Sequence, residues 1–187
     1  MSRGRVPWVL RSVVQHRLSL FLYGAPGSGK SLIAHYMGSR AVEAGLRVCH
    51  FYTPPNKPRN VVEGVMYREV LDMSGLASSL LSASLGRCSF LVVDTINELY
   101  RLEPTIESVS MLAMAASAVR STGGVALGVA SLRDGEESTP GYSVLEPYFH
   151  FIGRIYRLGV GFALELLKPS RKIFYLRYSG SGGVVWL

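Results

Sequence analysis

Short runs of apolar residues recur along this chain, and each run is bounded by polar residues, glycine or proline. A strand that is covered on both faces has no polar side, so such runs predict buried strands of a parallel sheet. Two runs fit this pattern, 89–94 and 125–131, and the segments 18–23 and 47–52 are also predicted as strands. Three alternating strands, 151–158, 161–167 and 172–178, are predicted to close the chain.

Segments of helical character lie between the predicted strands. The first such helix follows residue 31 and ends at Gly45, because glycine just past a helix stops the pattern. Further helices are predicted over 60–66, 74–85, 103–121 and 142–150, and a short strand over 67–71. Ser74 is the expected N-cap of the second of these helices. The alternation predicts a single α/β domain, 1–187, with a mostly parallel sheet and antiparallel C-terminal strands.

The composition is that of a folded domain without a membrane span. Of 187 residues, 48% are hydrophobic and 18% are charged, and no apolar run approaches the roughly 20 residues that cross a bilayer. No continuous apolar segment follows the first arginines, so we expect no signal peptide. Cys49 and Cys88 lie in strand-like runs without a spacing suited to zinc. We therefore expect buried thiols and a cytoplasmic protein.

Positive charge is concentrated at the two ends of the chain, whose formal net charge is +7. The N-terminal segment 1–17 carries four arginines and no acid, and from Arg154 onward six basic residues are accompanied only by Glu165. Basic ends on a nearly neutral middle indicate contact with nucleic acid or another polyanion, although an ordinary arginine-rich surface has the same composition. The residues expected to make such contacts are Arg3, Arg5, Arg11, Arg133, Arg171 and Lys172.

A Gly-rich motif follows the first predicted strand and precedes the first helix. It matches G-x-x-x-x-G-K-[ST], the Walker A pattern or P-loop, and consists of Gly24, Ala25, Pro26, Gly27, Ser28, Gly29, Lys30 and Ser31. The glycines let the backbone turn tightly and direct N–H groups at phosphate oxygens, and the helix N-terminus adds partial positive charge. Lys30 can then reach the β- and γ-phosphates, and the Ser31 hydroxyl can bind Mg²⁺. The motif predicts a site for a nucleoside triphosphate.

An aspartate at the end of the third apolar run is the second informative position. Asp94 ends the run 89–94, and the carboxyl ends of parallel strands are where ligands bind in open α/β sheets. This is the Walker B arrangement, in which Asp94 holds Mg²⁺ through water. An aspartate that caps the following turn is the alternative interpretation.

The residues around Asp94 resemble the RecA/RadA recombinase family, in which this strand runs into Asp-Ser/Thr and then an aromatic-Arg pair. Here the stretch is Asp94-Thr95 followed by Tyr100-Arg101. The segment 22–31 resembles the same family's P-loop, and 140–158 resembles the turn, helix and Arg-bearing strand after its second DNA-binding loop. The resemblance covers roughly residues 6 to 183. It implies a RecA-like core, ATP with Mg²⁺, and a short archaeal RadA/RadB-like paralogue.

Catalysis is where the chain departs from the family it resembles. The family's catalytic glutamate follows the second strand, where this chain has Pro54 in a loop, 53–58, that contains three prolines. Proline can neither polarise water nor accept a proton. Glu98 and Glu63 are alternative bases, and each has a solvated helix position as its other interpretation. The resemblance therefore implies weak or absent hydrolysis of ATP.

DNA contacts and assembly depart from the family as well. The strand that ends in Asn-Gln in the family ends here at Ser131, which makes a weaker contact to a γ-phosphate. The second DNA-binding loop is reduced to 133–139, where one arginine is accompanied by three acids. Only about 17 residues precede the first predicted strand, in place of the family's N-terminal domain and polymerisation motif. We therefore expect weak DNA contact through this loop and no filament.

These observations lead us to expect an ATP-binding accessory or regulatory factor in homologous recombination and DNA repair, with DNA or a RadA-type recombinase as partner. In this interpretation ATP orders the loops 53–60 and 132–140. A KaiC-like signalling ATPase is the main alternative, because it shares both motifs, and bound ATP with a purely structural role is another. A small-molecule kinase has the same Gly-rich loop, but this chain has Leu32 after Ser31 and no Asp-Gly-aromatic-Pro-Arg segment.

Overall fold

The computed structural model describes residues 6–58, 61–133, 136–178 and 184–187. The strands in these ranges are β1 Ser19–Gly24, β2 Val48–Tyr52, β3 Val65–Glu69, β4 Phe90–Asp94, β5 Gly124–Val129, β6 Ser131–Arg133, β7 Glu136–Ser138, β8 Phe151–Leu158, β9 Gly161–Lys168, β10 Lys172–Tyr178 and β11 Val184–Trp186. The α-helices are α1 Trp8–Gln15, α2 Lys30–Glu43, α3 Met73–Ser82, α4 Glu98–Leu102, α5 Ile106–Thr122 and α6 Tyr142–Leu145.

Among the described residues, one sheet contains nine strands in the order β11-β10-β9-β8-β1-β5-β4-β2-β3. Neighbouring strands are parallel from β8 to β3, whereas β8 to β11 pair in antiparallel fashion. The remaining two, β6 and β7, form a separate antiparallel pair. This confirms the predicted α/β class with a mostly parallel sheet and antiparallel C-terminal strands. The arrangement is compatible with a RecA-like core.

Helices cover both faces of the sheet, and this explains why the central strands consist of apolar runs. One face packs against α1 and α2, and the other packs against α3, α5 and α6. All six residues of β1 are buried. Leu20 and Leu22 belong to the first core, and Phe21 and Tyr23 belong to the second, because successive side chains of a strand point to opposite faces.

The predicted helix 103–121 corresponds to α5, which begins at Ile106, and a short helix that was not predicted, α4, precedes it. The helix α4 ends at Leu102, and Glu103 leaves the helical region with φ −141° and ψ 79°, because the residue before a proline is disfavoured in the α conformation. Thr105 then caps α5: its Oγ1 accepts from the Ser108 N–H (3.1 Å), and the Thr105 N–H donates to the Ser108 Oγ (2.8 Å). Proline followed by a reciprocal cap therefore starts a new helix.

Two further boundaries around α3 differ from the prediction. Residues 61–64 of the predicted helix 60–66 are not helical; residue 60 lies outside the described ranges, and β3 begins at Val65. Pairing of β3 with β2 along five residues replaces the helix. The N-cap of α3 is Asp72, whose Oδ1 accepts from the Gly75 N–H at 2.6 Å, and Ser74 lies inside the helix.

The N-terminal segment and the loop after β5 contain structure that the sequence analysis did not predict. In α1, Val9, Leu10, Val13 and Val14 are buried, a spacing that places them on one helical face against the sheet. Part of the predicted loop 132–140 belongs to the β6–β7 pair. The predicted helix 142–150 is shorter, because α6 passes into a 3₁₀ turn over 146–148.

The two cysteines are buried, as predicted, but they are bonded to each other. A disulfide joins Cys49 in β2 to Cys88, which precedes β4. The expectation of free thiols was therefore wrong: adjacent strands bring together two residues that lie 39 positions apart in the sequence. In the described part of the chain, no helix combines the length and apolar character that a membrane span needs.

Candidate functional site

The segments that follow β1, β2, β4 and β5 meet at one edge of the sheet. These strands are parallel, so their carboxyl ends lie together. Backbone hydrogen bonds join the segments: the Thr53 N–H donates to the Asp94 carbonyl oxygen (3.0 Å), and the Ala130 N–H donates to the Gly24 carbonyl oxygen (3.0 Å). The Gly-rich loop, the loop after β2 and the turn after β4 therefore form one candidate site.

Glycines determine the shape of the loop between β1 and α2. Gly27 has a φ of 76° and Gly29, the N-cap of α2, has a φ of 87°, a region that favours glycine. A Cβ on Gly24 would lie 2.2 Å from the Ile155 carbonyl oxygen of β8, so glycine is also required where the loop begins. Residues 25–27, which precede α2, are exposed. The loop therefore presents accessible backbone at a helix N-terminus, where anions bind favourably.

Lys30 folds back across this loop. Its Nζ donates to the carbonyl oxygens of Gly24 and Ala25, both at 2.9 Å, and 7% of the residue is exposed. Ser28 is buried too, and its Oγ has no hydrogen-bond partner within the described residues. The ammonium group thus lies against the loop backbone, in a position to compensate the charge of an anion that the loop binds.

Asp94 ends β4 beside the side chains of Lys30 and Ser31. It is 2% exposed, and this burial raises the pKa of its carboxyl group to about 6. A hydrogen bond with Ser31 and the charge of Lys30 act in the opposite direction, whereas the charge of Glu98 raises the pKa further. The Asp94 Oδ1 has no hydrogen-bond partner in the described part of the chain. The structure thus brings together Lys30, Ser31 and Asp94, three of the residues that the sequence singled out.

This donor set fits the predicted Mg²⁺. Magnesium prefers oxygen ligands, and the Asp94 carboxyl group, which is hydrogen-bonded to Ser31, keeps Oδ1 without a partner among the described residues. Among the described residues, no group of three or more His, Cys, Asp or Glu side chains could hold a metal ion. A cation at this position would therefore need further ligands from phosphate or water, which is how Mg²⁺ is usually bound beside nucleotides.

Glu98 is half-buried and hydrogen-bonded, which differs from the solvated helix position that was its other interpretation. Its Oε2 accepts hydrogen bonds from Thr53 Oγ1 (2.9 Å), Asn56 Nδ2 (2.6 Å) and Thr95 Oγ1 (3.0 Å). The half-buried side chain therefore joins the turn after β4 to the loop after β2. Pro54 lies between two of these donors and is itself exposed. A carboxylate is thus bonded to the loop that contains Pro54, although it comes from the start of α4.

Glu63, the other alternative base, is exposed in the turn before β3. Ser131 and Arg133 belong to β6, but the positions of their side chains lie outside the described part of the structure. The contact of Ser131 with a γ-phosphate stays a prediction. Of the two alternative bases, only Glu98 makes hydrogen bonds to the site's loops in the described residues.

Asn97 is a residue of this site that the sequence analysis did not identify. It is fully buried, and its Oδ1 accepts from the Val129 N–H at 2.9 Å. Its Nδ2 donates to Thr139 Oγ1 (3.0 Å) and to the carbonyl oxygens of Val129 (3.2 Å) and Pro140 (3.1 Å). The side chain thus connects the turn after Asp94 to both ends of the segment 130–138. An asparagine three residues after a strand-terminal aspartate was the available signal.

The predicted polyanion contacts are spread over several elements. Arg3 and Arg5 lie outside the described ranges. Arg11 is exposed on α1. Arg171 lies in the turn between β9 and β10, at the sheet edge opposite the Gly-rich loop, and is paired with Glu165 at 2.6 Å. Lys172 begins β10, and its Nζ lies 5.7 Å from the centre of the Phe174 ring. Their role as DNA contacts stays a prediction.

Comparison with known proteins adds no assignment to these observations. No family model matches the chain, and no curated protein is significantly similar to it. The resemblance to recombinases therefore depends on the motif residues quoted above. The interpretation of the site depends on the chemistry of its own residues.

Proposed function

We propose that this protein binds ATP with Mg²⁺ and acts as a RecA-family paralogue, an accessory or regulatory factor in homologous recombination and DNA repair with weak or absent hydrolysis. The observation that carries the ATP proposal is the convergence of Lys30, Ser31 and Asp94 beside the Gly-rich loop. A lysine on the loop backbone, a hydroxyl at a helix N-terminus and a buried carboxylate are the groups that a Mg-nucleotide requires.

Each of these residues has a separate role in the proposed complex. The backbone of 24–29 and the N-terminus of α2 receive the phosphates, and Lys30 exchanges its carbonyl partners for the β- and γ-phosphate oxygens. Ser31 and Asp94 would hold Mg²⁺, Asp94 through water. When bound, Mg²⁺ would neutralise phosphate charge and orient the phosphate chain. Burial of Asp94 leaves its Oδ1 without a partner until a cation or its water shell is present.

The recombination role is supported by the resemblance of 22–31, 91–101 and 140–158 to the RecA/RadA family, and by the basic residues. The hydrogen bonds of Asn97 support a regulatory role, because they connect the site to both ends of the segment that corresponds to the family's second DNA-binding loop. A protein whose site lies beside such a segment can present different surfaces with and without nucleotide. DNA or a RadA-type recombinase in the cytoplasm is the proposed partner.

Calorimetric titration with ATP and Mg²⁺ tests the nucleotide proposal. We expect Lys30→Ala to lower ATP affinity by at least about tenfold, because hydrogen bonds to charged groups contribute roughly 1.5–3 kcal/mol. Lys172→Ala is the matched control, since it removes the same charge from an exposed position on β10 and should leave affinity unchanged. Equal ATP affinity in the Lys30→Ala variant and the unsubstituted protein would contradict the assignment of the Gly-rich loop.

Fluorescence anisotropy with labelled single- and double-stranded DNA tests the recombination role. We expect binding that ATP strengthens and that weakens between about 50 and about 200 mM salt, because phosphate contacts release counterions. An ATP-binding protein without affinity for either DNA form would instead favour the KaiC-like signalling alternative.

A further inference from the structure

We propose that Glu98 is the general base for slow ATP hydrolysis at this site, supplying from the β4 side the carboxylate that position 54 lacks. This inference rests on the proposed binding of ATP. The weak hydrolysis would then depend on Glu98 as its base, rather than proceed without a base. Three features carry it: the fixed position of the Glu98 carboxylate, its unshared second oxygen, and its nearness to Asp94.

Hydrogen bonds from two sides fix the position of the carboxylate. Thr53 and Asn56 donate from the loop after β2, and Thr95 donates from the turn after β4, all to the same oxygen, Oε2. The Asn56 Nδ2 also donates to Thr53 Oγ1 at 2.8 Å, so the donors are themselves connected. A group held in this way meets the first requirement of a catalytic base, which is a defined geometry before the substrate arrives.

The other carboxylate oxygen is available for water. Every hydrogen bond that the described residues donate to the Glu98 carboxylate goes to Oε2, and the half-buried side chain keeps part of its surface in contact with solvent. Donors on Oε2 hold the group while Oε1 keeps its capacity to accept a proton.

Glu98 and Asp94 have environments that suit separate roles. Asp94 is buried against Lys30 and Ser31, on the side of the phosphates and the cation. Glu98 is close enough for its charge to act on Asp94, but it lies outward, against the loop after β2. Two neighbouring carboxyl groups in unlike surroundings divide the tasks of a hydrolytic site in this way.

The proposed step is the attack of one water molecule on the γ-phosphorus of ATP. Glu98 Oε1 accepts a proton from that water as the new O–P bond forms. The bond from the γ-phosphorus to the β–γ bridging oxygen breaks, and its electron pair remains on ADP. The products are ADP and inorganic phosphate, and Glu98 returns the proton to solvent. No oxidant, reductant or further reactant is needed.

The test is Glu98→Gln, measured in a single turnover with γ-labelled ATP. Glutamine keeps a carbonyl oxygen that can accept from Thr53, Asn56 and Thr95, but it cannot act as the base. We expect the rate of phosphate release to fall by about 10²–10⁴-fold. ATP affinity, measured by calorimetry, should stay within about threefold of the unsubstituted protein, a change of under 1 kcal/mol. Glu103→Gln, which removes the same charge from an exposed neighbour, should hydrolyse ATP at the unsubstituted rate.

Five outcomes overturn the proposal. Hydrolysis by Glu98→Gln at the unsubstituted rate excludes a base role, and loss of hydrolysis in Glu63→Gln assigns that role elsewhere. ATP that binds in a Lys30-dependent manner but is not hydrolysed by the unsubstituted protein also excludes it, while the proposed function stands. Absence of ATP binding would instead remove the proposed function itself. Should Glu98→Gln lose ATP affinity and thermal stability together with hydrolysis, Glu98 would be an anchor of the loop 53–56.

Discussion

When no ligand is bound, the ionised Asp94 carboxylate lowers the free energy of unfolding, because the side chain is buried at the site. Burial raises the pKa of its carboxyl group from 3.8 to about 6, so the folded state binds this proton more tightly than the unfolded chain does. The contribution of this group to stability therefore falls as the pH rises from about 3.8 to about 6, and is level above that. At neutral pH the Asp94 carboxyl group is therefore ionised in the folded protein, although its burial favours the neutral form.

We expect Asp94→Asn to stabilise the protein at pH 7 by roughly 1–3 kcal/mol, because each pKa unit corresponds to about 1.4 kcal/mol. Urea unfolding of both proteins at neutral pH measures this difference. The same comparison near pH 4 is the control. The Asp94 carboxyl group of the folded protein is then largely neutral, like the amide of the variant, and the difference in free energy of unfolding should decrease. An Asp94→Asn variant that is less stable than the unsubstituted protein at neutral pH would contradict the predicted direction of this change. We expect this variant to lose Mg²⁺-dependent ATP affinity.

The residues on one continuous motif were predictable from the sequence, and those that converge from distant segments were not. The order of strand, Gly-rich loop and helix placed Lys30 and Ser31, and the strand end placed Asp94. The role of Glu98 depends on Thr53 and Asn56, which are 45 and 42 positions away in the sequence. Nothing in the local pattern of either segment indicates that pairing.

At the scale of elements, Asn97 connects the turn after β4 to β5 and to the segment before α6. We expect Asn97→Ala to lower the free energy of unfolding by about 1–3 kcal/mol, because the partly buried Val129 N–H would lose its acceptor. Hydrogen exchange should accelerate at Val129 and over 139–142. Ser110→Ala is the control: this exposed serine makes one 3.3 Å bond within α5, and its loss should cost under about 0.5 kcal/mol. Unchanged exchange near Val129 would show that other contacts hold this segment.

Strands were predicted more closely than helices, for a physical reason. A strand buried on both faces needs an unbroken apolar run, so β1, β4 and β5 are visible in the sequence. The helix boundaries depended on single residues instead, such as Pro104, which ends one helix and precedes the cap of the next. The buried valines and leucine of α1 have the spacing of one helical face. This helix was not predicted, because the segment was interpreted from its arginines instead.

At the scale of the whole molecule, the disulfide joins β2 to the segment that leads into its neighbour β4. Closing 39 residues of chain removes conformational freedom from the unfolded state, which corresponds to about 4 kcal/mol of stability. We expect Cys49→Ala combined with Cys88→Ala to lower the free energy of unfolding by about 2–4 kcal/mol in urea. A reductant should reproduce this loss in the unsubstituted protein and leave the double variant unaffected. Equal stability of the two proteins without reductant would contradict the cross-link.

The packing of β11 against α2 gives the protein a built-in optical reporter. The chain contains two tryptophans, and one of them, Trp186 in β11, is buried in the same core as the apolar face of α2, which β11 contacts. The other, Trp8, is partly exposed and meets Phe151 edge to face. The helix that begins with Lys30 and Ser31 thus has an indole along its side. A shift in tryptophan emission on adding ATP would register displacement of this helix in unlabelled protein.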